Sequence, residues 1–280
     1  MKNVLILSLG LLIAVNAARA QQNSADISEI MMQSTFLVKD ERSSSCGTGF
    51  IVRKKQTNGM ANVFITADHV LTNLVSENAV IMLRVNTGPD KWELAPRTNR
   101  IRDGTNVLYF KHPRLDIAAF YIGVPEKCLP KGGISEDLLL SEQTIRDIQI
   151  GPGTELLNLG YPFGFASGPE QFAYLRSGRV ASYPILPVAQ RPSFELAVTA
   201  FGGNSGGPVY VSNYVTPGTE NILPNPRHFG VVGMLTTSKS LVQTMQLIDE
   251  SITRQTHLGF AGVIHAHFIK ETLELLPKQW

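Results

Sequence analysis

The sequence predicts an all-β protein with a single amphipathic helix near its end. Two observations carry this. Short apolar and β-branched runs recur along the chain, separated by turn residues such as Asn58-Gly59, Gly88-Pro89 and Asp103-Gly104. That rhythm marks an all-β barrel or sandwich. None of the runs is followed by the long amphipathic helix that a βαβ unit requires. A hydrophobic content of 43% fits a packed core rather than a disordered chain.

The elements follow in order. Lys2, the apolar run Val4 to Val15 and Ala18-Arg-Ala20 form the pattern of a signal peptide over residues 1–20, cut before Gln21. The run is short for a membrane span, so a retained anchor is only the alternative. This predicts export to the periplasm or the medium, with no membrane contact after signal removal. Residues 26 to 33 read as a short helical or irregular lead-in. Strand-like runs then occupy Ser34 to Val38, Gly47 to Arg53, Asn62 to Thr66, Ala79 to Val85, Ile101 to Phe110 and Ile117 to Ile122. Residues 123 to 150 break the rhythm: Pro125, Pro130 and Gly132-Gly133 precede a polar, helix-compatible piece from Glu136 to Arg146. A second set of runs covers Glu155 to Gly160, Phe172 to Ser182, Phe194 to Thr199, Pro208 to Ser212, Phe229 to Thr236 and Gly259 to Val263. Between Pro208 to Ser212 and Phe229 to Thr236, Ser212 to Arg227 reads as an exposed loop. Ile264, Phe268, Ile269, Leu273 and Leu276 fall at helical spacing and predict the terminal helix.

The net charge is +2, with no long charge run. Nothing points to nucleic acid or to an anionic membrane surface. The chain has two cysteines, Cys46 and Cys128. Export would permit a disulfide between them, worth roughly 4 kcal/mol in the chain-entropy account. His265 and His267 would splay apart on a helix rather than chelate, so no metal site is expected, and no cofactor.

The chemistry concentrates in Thr199-Ala-Phe-Gly-Gly-Asn-Ser-Gly-Gly-Pro-Val-Tyr210. Ser205 lies between two glycine pairs, which permit a sharp turn and close backbone approach. Such a turn can aim backbone N–H groups at a developing oxyanion. Taken alone it also fits a plain glycine-rich turn. His69 ends the apolar run Phe64-Ile-Thr-Ala-Asp-His, where a general base would sit on a rigid edge. It also fits a histidine satisfied by backbone. Asp116 opens the apolar run Leu115-Asp-Ile-Ala-Ala-Phe-Tyr-Ile122, where a carboxylate needs a partner. It also fits a solvent-facing turn. Together they supply nucleophile, base and orienting carboxylate, in the chain order His, Asp, Ser known for one such triad.

On these stretches the chain resembles the trypsin-like (chymotrypsin-fold) serine proteases, in the bacterial branch of the HtrA (DegP-type) proteases. The further matching pieces are Cys46-Gly-Thr-Gly-Phe-Ile-Val52, Leu159-Gly-Tyr-Pro-Phe-Gly164, Ser177-Gly-Arg-Val180 and Gly230-Val-Val-Gly-Met234. The resemblance implies two six-stranded antiparallel β-barrels followed by the C-terminal helix. Barrel 1 would span about 34–125, the connection 126–150, barrel 2 about 151–263 and the helix 264–276, within one protease domain over 21–280. No room remains for the PDZ domain that HtrA proteases append. The resemblance further implies catalysis by His69, Asp116 and Ser205 on peptide or protein substrates, with the N–H groups of Gly203 and Ser205 as the oxyanion hole. The substrate's P1 pocket would be formed by Thr199, Thr236, Thr237 and Ser238.

Three departures from the family carry information. Asn204 replaces the acid that, in digestive members, pairs with a newly cut N-terminus, so activity should not wait for such a cut. No acid lies at the P1 pocket, and Leu235 replaces the histidine of glutamyl endopeptidases. Both imply a small or medium apolar P1 residue. Asp68 stands beside His69 where the family usually has a small residue, and its side chain should point away. Two other readings compete: a catalytically silent fold of this type used for binding, and an esterase. Gly203-Asn-Ser-Gly-Gly207 satisfies the short esterase pattern, but the triad order and the absence of βα alternation oppose it.

Overall fold

The computed structural model describes residues 27–57, 59–130, 133–219, 227–246 and 251–277. The expected signal peptide at 1–20 lies outside the described residues. A helix α1 over 27–33 leads into the first sheet. Its strands are β1 (Thr35–Asp40), β2 (Cys46–Gln56), β3 (Gly59–Thr66), β4 (Asn78–Ile81), β7 (Arg97–Arg100), β10 (Phe110–Lys111) and β11 (Ala118–Tyr121). Between them lie the hairpins β5 (Arg84–Gly88) with β6 (Lys91–Leu94) and β8 (Arg102–Asp103) with β9 (Asn106–Val107). The path β10-β11-β3-β2-β1-β4-β7 makes a half-barrel, with β12 (Ile134–Ser135) parallel to β2. A short helix α2 (Asp68–Thr72) follows β3, and α3 (Glu142–Asp147) lies in the connection. The second sheet is a closed barrel of six strands. Its members are β13 (Glu155–Gly160), β14 (Tyr174–Val180), β15 (Ser193–Ala197), β16 (Pro208–Val215), β17 (Arg227–Gln246) and β18 (Ser251–His265), in the order β13-β14-β15-β18-β17-β16. The architecture is the predicted all-β, chymotrypsin-like one, with the second barrel closed by six strands as expected and the first an open half-barrel rather than a six-stranded closed one. The helix α4 (Ala266–Leu275) then buries Phe268, Ile269 and Leu273 in the same hydrophobic cluster that holds Phe64 and Ile65 of the first barrel.

Several boundaries differ from the sequence reading: β16 runs on to Val215, inside the expected loop, and β17 already begins at Arg227; four others are as follows. The run Ala79 to Val85 is divided because the Leu83 N–H bonds the Ile81 carbonyl at 2.9 Å, a turn closed over one residue. The run Ile101 to Phe110 is cut into three pieces, first at Gly104, whose φ is +58°, and again after Val107. Ile264 belongs to β18, not to the helix. The largest difference is the β17–β18 ribbon, which continues in register to Gln246 and Ser251. Leu241, Val242, Gln243 and Thr244 on one strand and Thr253, Arg254 and Thr256 on the other are all exposed, so no core-facing alternation announces it.

The two barrels are joined at Arg84, which is fully buried without a carboxylate partner among the described residues. Its guanidinium donates to the carbonyls of Met32 (3.2 Å), Thr35 (2.6 Å) and Gln171 (2.8 Å), and to the Tyr161 hydroxyl (3.0 Å). It also lies over the rings of Phe36 and Phe172 at 4.7 and 4.2 Å.

His265 ends β18 fully buried, its Nε2 3.0 Å from the Ile185 carbonyl. Burial pushes its pKa down to about 4, against weaker opposition from the Ile185 carbonyl and the Glu142 charge; His267 adds to the lowering. The unfolded chain therefore binds a proton below about pH 6.5 that the folded chain refuses until about pH 4. Stability from this residue is full above pH 6.5 and falls as pH drops through that window, by about 3 kcal/mol in total. Denaturation of wild type and His265→Phe at pH 7 and pH 4.5 checks this. The variant should lose less on acidification, and equal losses would refute the assignment.

Candidate active site

The base is placed by a helix end. β3 stops at Thr66, and His69 falls in the first turn of α2. The first N–H groups of a helix have no partner within it. Asp116 supplies one: its Oδ1 accepts from the His69 N–H at 2.9 Å, and its Oδ2 lies 2.6 Å from His69 Nδ1. One carboxylate thus fixes both the backbone and the ring of the histidine. Burial drives the Asp116 carboxyl upward, but the bonds from the His69 ring and amide outweigh it and hold the group below its ordinary value. It is therefore an anion at neutral pH.

Asp116 sits in a turn shaped by His112. The N–H groups of Arg114 and Leu115 donate to His112 Nδ1 at 3.2 and 3.0 Å, and its ring packs edge-on against Phe268 of α4 at 5.9 Å. Sequence reasoning missed this support, since nothing local distinguishes His112 from a surface histidine.

Asp68 does turn away from His69, but by a different route from the one expected. The segment is helical rather than extended, and the Asp68 carboxylate bonds the Tyr109 hydroxyl at 2.9 Å and Lys111 Nζ at 2.7 Å. Lys111 is raised above its ordinary value chiefly by that hydrogen bond.

Ser205 comes from the second barrel and is seated on the first. Gly206 has φ +88°, and a Cβ there would strike the Thr48 carbonyl, Thr66 Oγ1 and the Ala67 amide. The loop therefore lies against the residues just before His69. Ser205 Oγ donates to the Thr236 carbonyl at 3.0 Å and makes no hydrogen bond to the His69 ring. Gly203 has φ +93°, a conformation that favours glycine. The N–H groups of Asn204, Gly206 and Gly207 bond the carbonyls of Phe201, Leu235 and Asn204. Those of Gly203 and Ser205 have no partner among the described residues. The loop thus leaves two neighbouring donors open, the arrangement an oxyanion needs.

The expected P1 residues are dispersed around this loop. Thr236 is buried, whereas Thr237 and Ser238 are exposed on β17. The Thr199 carbonyl accepts from Arg176 Nη1 at 2.6 Å, and the Arg176 guanidinium lies 5.3 Å from the Phe201 ring centre. Arg176 was not foreseen from sequence.

The Cys46–Cys128 bridge is not formed, and both thiols are free. Cys46 opens β2 beside Gly164, whereas Cys128 is buried in the first core near Arg84. Burial pushes the Cys128 thiol up to about 11. Among the described residues no group of three or more His, Cys, Asp or Glu is placed to hold a metal ion, and no helix is long and apolar enough to cross a membrane.

Two β-barrels, with a His–Asp pair on one and a glycine-flanked serine on the other, define the class of trypsin-like peptidases. Residues 47–213, more than half of the chain, match the trypsin-like peptidase domain, and the chain belongs to that family. No curated protein matches it.

Proposed function

We propose that this protein is an exported serine endopeptidase that cleaves protein substrates through an acyl-enzyme. The single observation that carries this is the His69–Asp116 pair, bonded at 2.6 Å, on the barrel face against which the Ser205 loop is seated. In this reading Ser205 Oγ turns from Thr236 toward His69 once substrate is bound, since catalytic hydrogen bonds often tighten only in that complex. His69 takes the serine proton and returns it to the leaving amine. Asp116 holds the imidazole tautomer and stabilises the imidazolium. The N–H groups of Gly203 and Ser205 receive the oxyanion. The Arg176 charge at the Thr199 carbonyl disfavours a basic P1 residue, which agrees with a small or medium apolar preference. The bacterial HtrA-like branch is the placement within the family that we favour.

Neutral Asn204 supports activity without N-terminal processing beyond the signal cut. A second reading, a silent fold used for binding, is favoured by one observation: Ser205 Oγ bonds Thr236 rather than His69. Labelling with a fluorophosphonate serine probe separates the two. The chain cut only at the signal site should be labelled, and Ser205→Ala and His69→Ala should not. A folded wild type that takes no label would overturn the peptidase reading in favour of the binding one.

A further inference from the structure

Catalysis at this loop depends on where two backbone N–H groups point, and a peptide's N–H points opposite to its own C=O. Every carbonyl from residue 202 to 205 is held. The Gly202 carbonyl accepts from the Phe163 N–H at 2.6 Å, and the Asn204 carbonyl from the Gly207 N–H at 3.1 Å. These two bonds orient the Gly203 and Ser205 N–H groups directly. The remaining two carbonyls are held by one residue of the other barrel. Thr48 Oγ1 donates to the Gly203 carbonyl at 2.7 Å, and the Thr48 N–H donates to the Ser205 carbonyl at 2.8 Å. The hydroxyl has a single proton, and its direction is set because Oγ1 accepts from the Tyr161 N–H at 3.1 Å. A one-way chain therefore runs from Tyr161 N–H through Thr48 O–H to Gly203 C=O. Thr48 is fully buried, so water cannot replace it. The side chain of Asn204 is 1% exposed and bonds nothing among the described residues, so it does not restrain the loop.

We propose that Thr48 is a positioning residue for the oxyanion hole, built into the first barrel and acting through the peptide that lies between the two donors. This rests on the serine-peptidase reading above. Its hydroxyl does what a charged anchor beside the serine would otherwise do: it keeps the hole open before substrate arrives. Preorganised donors of this kind act on the transition state more than on ground-state binding.

The test compares steady-state kinetics of wild type, Ser205→Ala, Thr48→Ser and Thr48→Val on one peptide substrate, with thermal melts of each. Thr48→Val keeps the shape and the backbone N–H but loses the hydroxyl. It should lower kcat about 10²-fold, the scale of one lost oxyanion donor, while KM changes only a few-fold. Thr48→Ser restores the hydroxyl and should recover most of kcat. Should Thr48→Val fail to fold, Thr48→Cys carries the test, because a thiol is a weak donor and acceptor. Wild-type kcat in Thr48→Val, or Thr48→Ser falling as far as Thr48→Val, would overturn the proposal while leaving the peptidase reading standing. A wild type with no Ser205-dependent turnover would overturn that reading, and this proposal with it.

Discussion

Asp116→Asn is expected to lower kcat by about 10⁴-fold, whereas Asp68→Asn, adjacent to His69 in sequence, should cost only a few-fold. The difference follows from what each carboxylate touches. Asp116 accepts from both the ring and the amide of His69. An asparagine turned to keep the backbone bond presents its NH₂ group to Nδ1. The imidazole must then accept there, which places its proton on Nε2, and it can no longer take one from serine. Asp68 instead bonds Tyr109 and Lys111. The Lys111 side chain is 45% exposed, so that ion pair is worth about 0–1 kcal/mol. Peptide hydrolysis by the two variants, with circular dichroism to show both are folded, decides the matter. Equal losses would remove Asp116 from its assigned role.

Arg84→Met should destabilise the protein by about 3–5 kcal/mol, at the upper end for a single substitution. Replacing a buried ion pair by apolar residues is often neutral or stabilising, because both charges leave together. Here the partners of the guanidinium are mostly backbone carbonyls, and they stay. Tyr161 has one hydroxyl proton to share between the Thr35 and Gln171 carbonyls, which lie 3.2 and 3.1 Å from it. Methionine therefore leaves the Met32 carbonyl and one of these two without a donor, at about 1–3 kcal/mol each. It also gives up the cation–π contacts with Phe36 and Phe172. Arg84→Lys should recover only part of the loss, since one ammonium cannot reach acceptors on α1, β1 and the second barrel together. Urea denaturation of the three proteins measures this. A change below about 1 kcal/mol in Arg84→Met would mean that the two barrels do not depend on this junction.

Much of the fold was legible because burial leaves its mark locally. β13 was found at its observed ends, Glu155 and Gly160, and the runs Gly47 to Arg53 and Asn62 to Thr66 fall inside β2 and β3. Their apolar residues face a core. The outer ribbon of β17 and β18 was invisible for the opposite reason: exposed on both faces, it carries no alternation to read. Arg84 lay inside a strand-like run, and no local pattern says that a lone arginine is buried. The only signal for Thr48 was its place between Gly47 and Gly49, where close backbone approach is permitted but no partner is specified.

The sequence by itself determined the class of fold and nominated His69, Asp116 and Ser205, because strand rhythm, glycine turns and reactive side chains are properties of short stretches. The tertiary structure alone decided which groups meet. It put Asp116 on the ring and amide of His69 and sent Asp68 to Tyr109 and Lys111. It kept Cys46 and Cys128 unbridged and brought Arg176 to Thr199. It also set Thr48 against a loop 155 residues further along the chain. Those contacts are hydrogen bonds between segments distant in sequence. Their existence depends on the register of two barrels and the closure of one, which no single segment encodes.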